Sequence, residues 1–276
     1  MQSKMPMNIT FRELVSPEDH AACVELQRET WGRNFTEVTP PTLMTVARKI
    51  GGVIAGAFDE QGRLLGFIFS IVGLVDGRVV HWSQKLAVRK EVRGQGLGIQ
   101  LKLYQREFVL KLGIEHIYWT YDPLVARNAH MNLNRLGATI DKYVVNMYAS
   151  DTGSELHRGI GTDRFLVDWP IAEKRVAQAI ARQTKIDPND FTNLRIVNTE
   201  MGTDGQPVPI AGELPELPEL RVEVPPDIES MLVNSPERAV AWRENTRRVF
   251  LWYQEQGYEV TRFCRHGGRC FYALTR

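Results

Sequence analysis

Cysteine is scarce in this sequence: Cys23, Cys264 and Cys270 are the only three among 276 residues, and no CxxC pair occurs. The last two flank RHGGR, which reads as a hairpin turn around Gly267-Gly268. A two-residue turn sets them diagonally, an offset that disfavours a disulfide, and each reads as a small buried apolar residue. Histidine is thin as well. The six, at positions 20, 81, 116, 130, 157 and 266, fall far apart without ligand spacing, so no metal centre is expected. No run approaches the roughly 20 apolar residues of a transmembrane helix. The opening MQSKMPMNIT lacks the apolar core of a signal peptide. A cytoplasmic chain with no membrane partner is therefore expected. An excess of one charge is missing too: 34 basic residues against 33 acidic give a net charge of +1, and no nucleic-acid surface is expected.

What is present is the balance of a globular protein, with 43% hydrophobic and 24% charged residues. The length is ample for two cores. The sequence predicts a first domain over residues 1–170 and a smaller α+β domain over 171–276.

Local signals order the first domain. A short extended segment, Ile9 to Leu14, leads to Ser16-Pro17-Glu18-Asp19, a helix start with a capping serine, a proline suited to the first turn and acids that complement the dipole. That helix runs to about Thr30. Gly51 to Phe58 and Leu64 to Val72 form a hairpin around Asp59-Glu60-Gln61-Gly62, and Asp76-Gly77 hands over to Val79 to Val88, a three-stranded meander. Leu97, Leu101, Tyr104, Phe108 and Leu112 then recur at helical spacing before Gly113. Ile114 to Thr120 reads as a strand, Asn128 to Leu136 as a short helix ended by Gly137, and Ala138 to Tyr148 and Arg164 to Trp169 as strands joined by a polar loop, Ser150 to Thr162. Beyond Pro170 the pattern predicts a helix to about Gln183, a strand near Leu194 to Asn198, a loop over Glu200 to Glu219, a strand over Leu220 to Val224, an amphipathic helix opened by Ser235-Pro236-Glu237, and a terminal hairpin.

The turn Arg93-Gly94-Gln95-Gly96-Leu97-Gly98 carries the chemistry. It lies between a strand and a helix, so several N–H groups and the helix dipole favour one anion, and the glycines let a phosphate approach the backbone. No Gly-Lys-Ser or Gly-Lys-Thr of a nucleotide P-loop is present, and the turn follows a meander rather than opening a parallel βαβ unit.

Leu86-Ala87-Val88 followed by Val92-Arg93-Gly94-Gln95-Gly96-Leu97-Gly98 resembles the acyl-CoA-binding motif of the GNAT superfamily of N-acyltransferases, Arg/Gln-x-x-Gly-x-Gly/Ala. The resemblance extends from Ile9 to Trp169 through the order of elements. It implies an α/β fold with a mixed, mostly antiparallel sheet flanked by helices, and acyl-CoA (acetyl-CoA or succinyl-CoA) as co-substrate. It also implies that the amides of Gln95 to Gly98 hold the pyrophosphate. The pantetheine arm would lie along Leu86 to Val88, where that strand splays from the one ending at Thr120. The tyrosine that many members carry four residues before the terminal glycine is Leu133 here, and the asparagine near that helix's start is represented by Asn128, two positions late. Asp122-Pro123-Leu124, Asn128-Ala129, Thr162-Asp163-Arg164-Phe165 and Trp169 more closely resemble a branch with an extra C-terminal domain. Some relatives of that branch are linked to N-succinylation of amino acids, which implies a small-molecule amine acceptor.

Amide formation from a thioester needs a neutral amine, a polarised carbonyl and a proton for the sulfur. The amide near Val88 is the candidate donor to the thioester oxygen. His81, Ser83 and Lys85 are expected on one strand face, with His81 the base on intrinsic grounds and Ser83 a ligand-positioning group; the competing reading of His81 is a hydrogen-bonded strand residue at the start of the sheet. Tyr121 is the candidate acid or a packing aromatic, and Asp122 an ammonium-binding carboxylate or a turn residue. Arg164 is a carboxylate clamp or an exposed edge charge. The C-terminal segment has three candidate roles: capping the acceptor cleft, forming a homodimer, or repeating the first fold in degenerate form. One CoA site per chain is expected. Two functions stay open, an N-acyltransferase and a CoA-binding regulatory or assembly module.

Overall fold

Ser16 starts the first helix as expected: its hydroxyl accepts from Asp19 N–H at 3.2 Å while the Asp19 carboxylate accepts from Ser16 N–H at 3.3 Å. The computed structural model describes residues 8–148, 159–181 and 192–276. They resolve into two compact units, one of residues 8–119 with Pro170–Ala172, the other of 120–148, 159–169 and Glu173–Arg276.

In the first unit β1 (Thr10–Glu13), β2 (Val53–Phe58), β3 (Leu64–Val75) and β4 (Arg78–Val88) pair in that order, all antiparallel, and β5 (His116–Tyr121) joins β4 in parallel. This is the mixed, mostly antiparallel sheet expected. Helices α1 (Pro17–Trp31) and α2 (Pro41–Lys49) cover one face, where Cys23, Leu26, Met44 and Ala47 pack on Ile54, Phe67, Phe69 and Ala87. Helix α3 (Leu97–Lys111) lies on the other, with Leu101 above Gly66. Helix α2 escapes the sequence reading because Pro40-Pro41 looks like a breaker; Pro41 instead occupies the first turn, where its missing N–H costs nothing.

In the second unit α4 (Ala126–Ala129) runs into a π-helical segment, His130–Arg135, marked by Leu136 N–H bonding Met131 O at 3.0 Å. The helix predicted over 128–136 thus begins two residues earlier, at Ala126, and is widened in its second half. Strands β6 (Thr139–Val144) and β7 (Arg164–Pro170) pair antiparallel. Helix α5 (Lys174–Ile180) follows, shorter than expected because residues 171–173 form a turn before it and Ala181 caps its end; residues 182–183 of the predicted span and most of the loop 150–162 lie outside the described residues. The strand expected at 194–198 is a single bridge from Ile196 to Arg221, and the expected loop contains a hairpin of β8 (Thr199–Met201) and β9 (Pro207–Pro209). Strand β10 (Glu219–Val224), helices α6 (Ile228–Asn234) and α7 (Pro236–Glu255), and the hairpin β11 (Glu259–His266) and β12 (Arg269–Thr275) complete it, in sheet order β10-β12-β11. Cys264 pairs with Phe271 and Cys270 with Arg265, so the two cysteines point to opposite faces of the hairpin; all three cysteines are free and buried.

The division falls inside β5, not after Pro170. Elements on either side of residue 170 share one aromatic core: Phe165 lies 4.8 Å from Phe250 and 5.4 Å from Tyr272 between ring centroids, and Tyr143 5.6 Å from Phe250. No helix among the described residues is long and apolar enough to cross a membrane.

Candidate functional site

The glycine turn folds around two left-handed residues, Gly94 at φ +79° and Gly96 at φ +87°. A Cβ at either would meet nothing within 4 Å, so the backbone conformation, not crowding, demands glycine there. Gly96 is the N-cap of α3 and offers no side-chain acceptor. The first bond at this helix end is Gln100 N–H to Gly96 O, 3.1 Å. The N–H groups of Leu97, Gly98 and Ile99 therefore lack an acceptor within the helix. They stand with the amides of the exposed turn at the positive end of a 15-residue helix. Arg93 Nε donates to Val88 O at 2.9 Å and pins the turn to the end of β4.

Strand β4 supplies the rest of the groove. Its parallel ladder with β5 has two pairs, His81–Ile117 and Trp82–Tyr118, whereas β4 runs on to Val88. Past Trp82 the strands part. Arg89 N–H donates to Leu65 O of the β3 side, so by alternation the N–H and C=O of Val88 face away from β3, and the Val88 carbonyl is the one that accepts from Arg93. The Val88 N–H thus points away from β3, toward the side where β4 and β5 part. Leu86 and Val88 are half-buried along it, and Ala87 turns into the α1–α2 core.

The expected common face of His81, Ser83 and Lys85 does not form. Ser83 pairs with Ser70 and Lys85 with the adjacent Phe69, so Gln84 is the extra residue of a β-bulge that sends Lys85 to the opposite face. There Lys85 Nζ donates to Glu37 O at 2.6 Å and Thr39 Oγ1 at 2.7 Å, and burial lowers its amine to about 8. His81 is fully buried with Nδ1 3.1 Å from Ser70 Oγ, and burial pushes its imidazole down to about 4, only partly offset by the Gly51 carbonyl. It is neutral near pH 7 and a weak proton acceptor. Ser83 is buried, and its Oγ lies 2.9 Å from Lys102 Nζ, a buried α3 side chain that the helical pattern did not single out.

In the second unit Tyr121 is buried with its hydroxyl 3.3 Å from that of Tyr272, and burial raises its phenol above the usual range. Asp122 is both a turn residue and a charge partner: Oδ1 accepts from Leu124 N–H at 2.9 Å, and Oδ2 accepts from Arg243 Nη2 at 2.5 Å. Arg164 is not an exposed edge charge. It is buried, 3.8 Å from Asp122 Oδ2, with Nη1 donating to Asp163 O and its guanidinium 5.5 Å from the Tyr148 ring. Burial, joined by repulsion from Arg243, lowers the Arg164 guanidinium. Asp163 is held by two bonds from Arg247 at 2.7 and 2.8 Å and by the Tyr143 hydroxyl. Asn128 is half-buried in α4. Sequence reasoning missed Arg243, whose Nη1 is buried without a partner, and Asn132, whose two amide atoms are likewise unpartnered. Neither lies on a motif. A separate concavity of about 300 Å³ between β6 and α7 is lined by Asp141, Asp168, Phe250, Tyr258 and Glu259, and by none of the motif residues singled out in the sequence apart from Phe165.

No family model matches the chain, and no curated protein does. Among solved structures, a GNAT-family acetyltransferase from Streptococcus pneumoniae is 18% identical over 58% of this chain and 98% of its own, at a TM-score of 0.47. A putative acetyltransferase from Salmonella typhimurium, solved with acetyl-CoA, is 17% identical over 60% of this chain and 95% of its own, at a TM-score of 0.46. A GNAT-family N-acetyltransferase from Escherichia coli in complex with CoA is 16% identical over 65% of this chain and 88% of its own, at a TM-score of 0.40.

Proposed function

We propose that this protein is an acyl-CoA-dependent N-acyltransferase of the GNAT type, moving an acetyl or succinyl group to the primary amine of a small molecule such as an amino acid. The observation that carries the reading is the end of α3, where a left-handed Gly96 leaves the amides of Leu97 to Ile99 without intrahelical acceptors beside an open glycine turn. That cradle fits a pyrophosphate, and the sequence motif it is built from resembles that of the superfamily. Bound acyl-CoA would supply the thioester. Gln95, Gly96, Leu97 and Gly98 would hold its phosphates, Leu86 to Val88 its pantetheine arm, and the gap-facing Val88 N–H would polarise the carbonyl.

The charge of the Asp122 cluster supports an acceptor bearing a carboxylate. Arg164 and Arg243 bring two cations to one anion, while Arg247 and Asp163 cancel each other. Two guanidinium groups converging at Asp122 are the chemistry that recognises a carboxylate such as that of an amino acid.

A non-catalytic CoA-binding module is the second reading, favoured by Leu133 where a proton-donating tyrosine is common. Two measurements separate them. Calorimetry with CoA is expected to show micromolar binding that Gly96→Val weakens at least about tenfold, since a β-branched residue opposes the required φ; unchanged binding would sink the phosphate cradle. Thiol release from acetyl-CoA and succinyl-CoA with pooled amino acids is expected for an enzyme, and binding without release selects the module.

A further inference from the structure

Lys102 is 2% exposed and forms no ion pair among the described residues. Its Nζ lies 2.9 Å from Ser83 Oγ, 3.4 Å from Gln105 Oε1 and 3.6 Å from the centroid of the Trp119 ring. Ser83 and Trp119 are each the first residue beyond the last β4–β5 ladder pair, Trp82–Tyr118. The lysine nitrogen therefore sits in the fork where the two strands part.

A charged ammonium buried there without a carboxylate is strongly disfavoured. Burial alone holds the Lys102 amine well below the usual lysine range. The groups facing it are Ser83 from β4, Trp119 from β5 and Gln105 from α3, none of them ionised; His81, Ser83's neighbour on the same strand face, is turned to Ser70. As a neutral amine Lys102 is fully partnered: the Ser83 hydroxyl donates to its lone pair, and its two N–H bonds serve Gln105 Oε1 and the Trp119 face. The serine oxygen then keeps lone pairs for an incoming N–H.

We propose that Lys102 is a positioning residue of acyl transfer, taking up through the Ser83 hydroxyl the proton that the acceptor amine gives up. This rests on the acyltransferase reading above. The amine nitrogen forms the C–N bond at the thioester carbonyl, and the C–S bond breaks with its electron pair leaving on sulfur. The N–H proton passes to Ser83 Oγ as the serine's own proton passes to Nζ. The Lys102 ammonium then returns a proton through Ser83 to the thiolate, which leaves as CoA thiol.

The test compares Lys102→Met, Ser83→Ala and Ser83→Thr with the native chain. Lys102→Met is expected to melt no lower, to bind acyl-CoA within about twofold, and to lose about 100-fold in kcat with little change in amine KM, the size of one proton-transfer contribution. Its kcat should also lose the acid limb of the pH profile. Ser83→Ala should match it, the double variant should fall no further, and Ser83→Thr should restore most of the rate. Full turnover of Lys102→Met with an unchanged pH profile overturns the role. NMR titration of the lysine ε-groups decides independently of turnover: a Lys102 resonance charged at pH 7 also overturns it. A native chain that binds acyl-CoA yet acylates no amine fails the acyltransferase reading, and this role falls with it.

Discussion

His81 couples the folded chain to pH through a residue that makes no surface contact with solvent. Its folded value of about 4 lies below the ordinary 6.5, so between those values the unfolded chain binds a proton that the folded chain does not. Stability is fully present above about 6.5, falls as the pH drops, and reaches its full loss below about 4, on the order of 3 kcal/mol. Asp19 acts in a lower window. Held at about 2 chiefly by Arg12, it stabilises above the ordinary 3.8 and loses that contribution as pH falls through about 2. Urea unfolding at pH 7 and pH 4.5 is therefore expected to show a drop that His81→Gln largely removes and Arg12→Ala leaves in place. An equal drop in His81→Gln would refute the assignment. The same residue shows why intrinsic chemistry misleads. Histidine titrates near neutrality in water, which made His81 the natural base, but the sequence carries no mark of the burial that takes it out of range. Lys102 and Arg243 were missed for the converse reason. A charged residue on a helix reads as solvated, and only the packed partners, Ser83 and Trp119 for one and Asp122 for the other, show otherwise.

At the scale of elements, what was legible was what is encoded locally. The meander is set by Asp59 to Gly62 and by Asp76-Gly77, whose φ values of 49° and 76° suit a tight hairpin. Helix α3 is set by its apolar spacing and glycine ends. The β4 bulge was illegible because one extra residue changes no residue type, only the face of everything beyond it; this moved Lys85 to the face opposite Ser83. The π-helical turn was hidden similarly, since the spacing from Asn128 to Gly137 looks like ordinary helix. Gly137 closes that turn at φ +66°, and a Cβ there would stand 2.8 Å from Ala179 Cβ and 3.3 Å from Val176 Cα. Gly137→Ala is therefore expected to cost about 1–3 kcal/mol from backbone conformation, plus the displacement of α5. Gly62→Ala, also left-handed but with open space around it, should cost only the conformational part. Thermal melts of the two variants check this; equal losses would show that α5 yields freely.

For the whole molecule, the chain's division inside β5 has a consequence for where it can be cut. The resemblance ends near Trp169, which suggests a self-sufficient first domain ending at Pro170. Yet Tyr121, Tyr143 and Phe165, all before that point, are buried with Phe250 and Tyr272, which come after it. Removing residues 171–276 would strip those rings of their partners, and each large aromatic side chain returned to water forfeits about 1.5–3 kcal/mol. Asp122 would also lose Arg243, the kind of separation that costs about 3–5 kcal/mol at a buried pair. Against a total stability of about 5–15 kcal/mol, the sum leaves little or nothing. A chain ending at Pro170 is accordingly expected to be insoluble or to melt without a cooperative transition, whereas the full chain carrying Arg243→Met should stay folded with a lowered urea midpoint. A soluble, cooperatively melting 1–170 fragment that binds CoA with native affinity would show that the C-terminal elements are an addition to the CoA-binding fold. Failure of the fragment alongside survival of Arg243→Met would show that they complete its core.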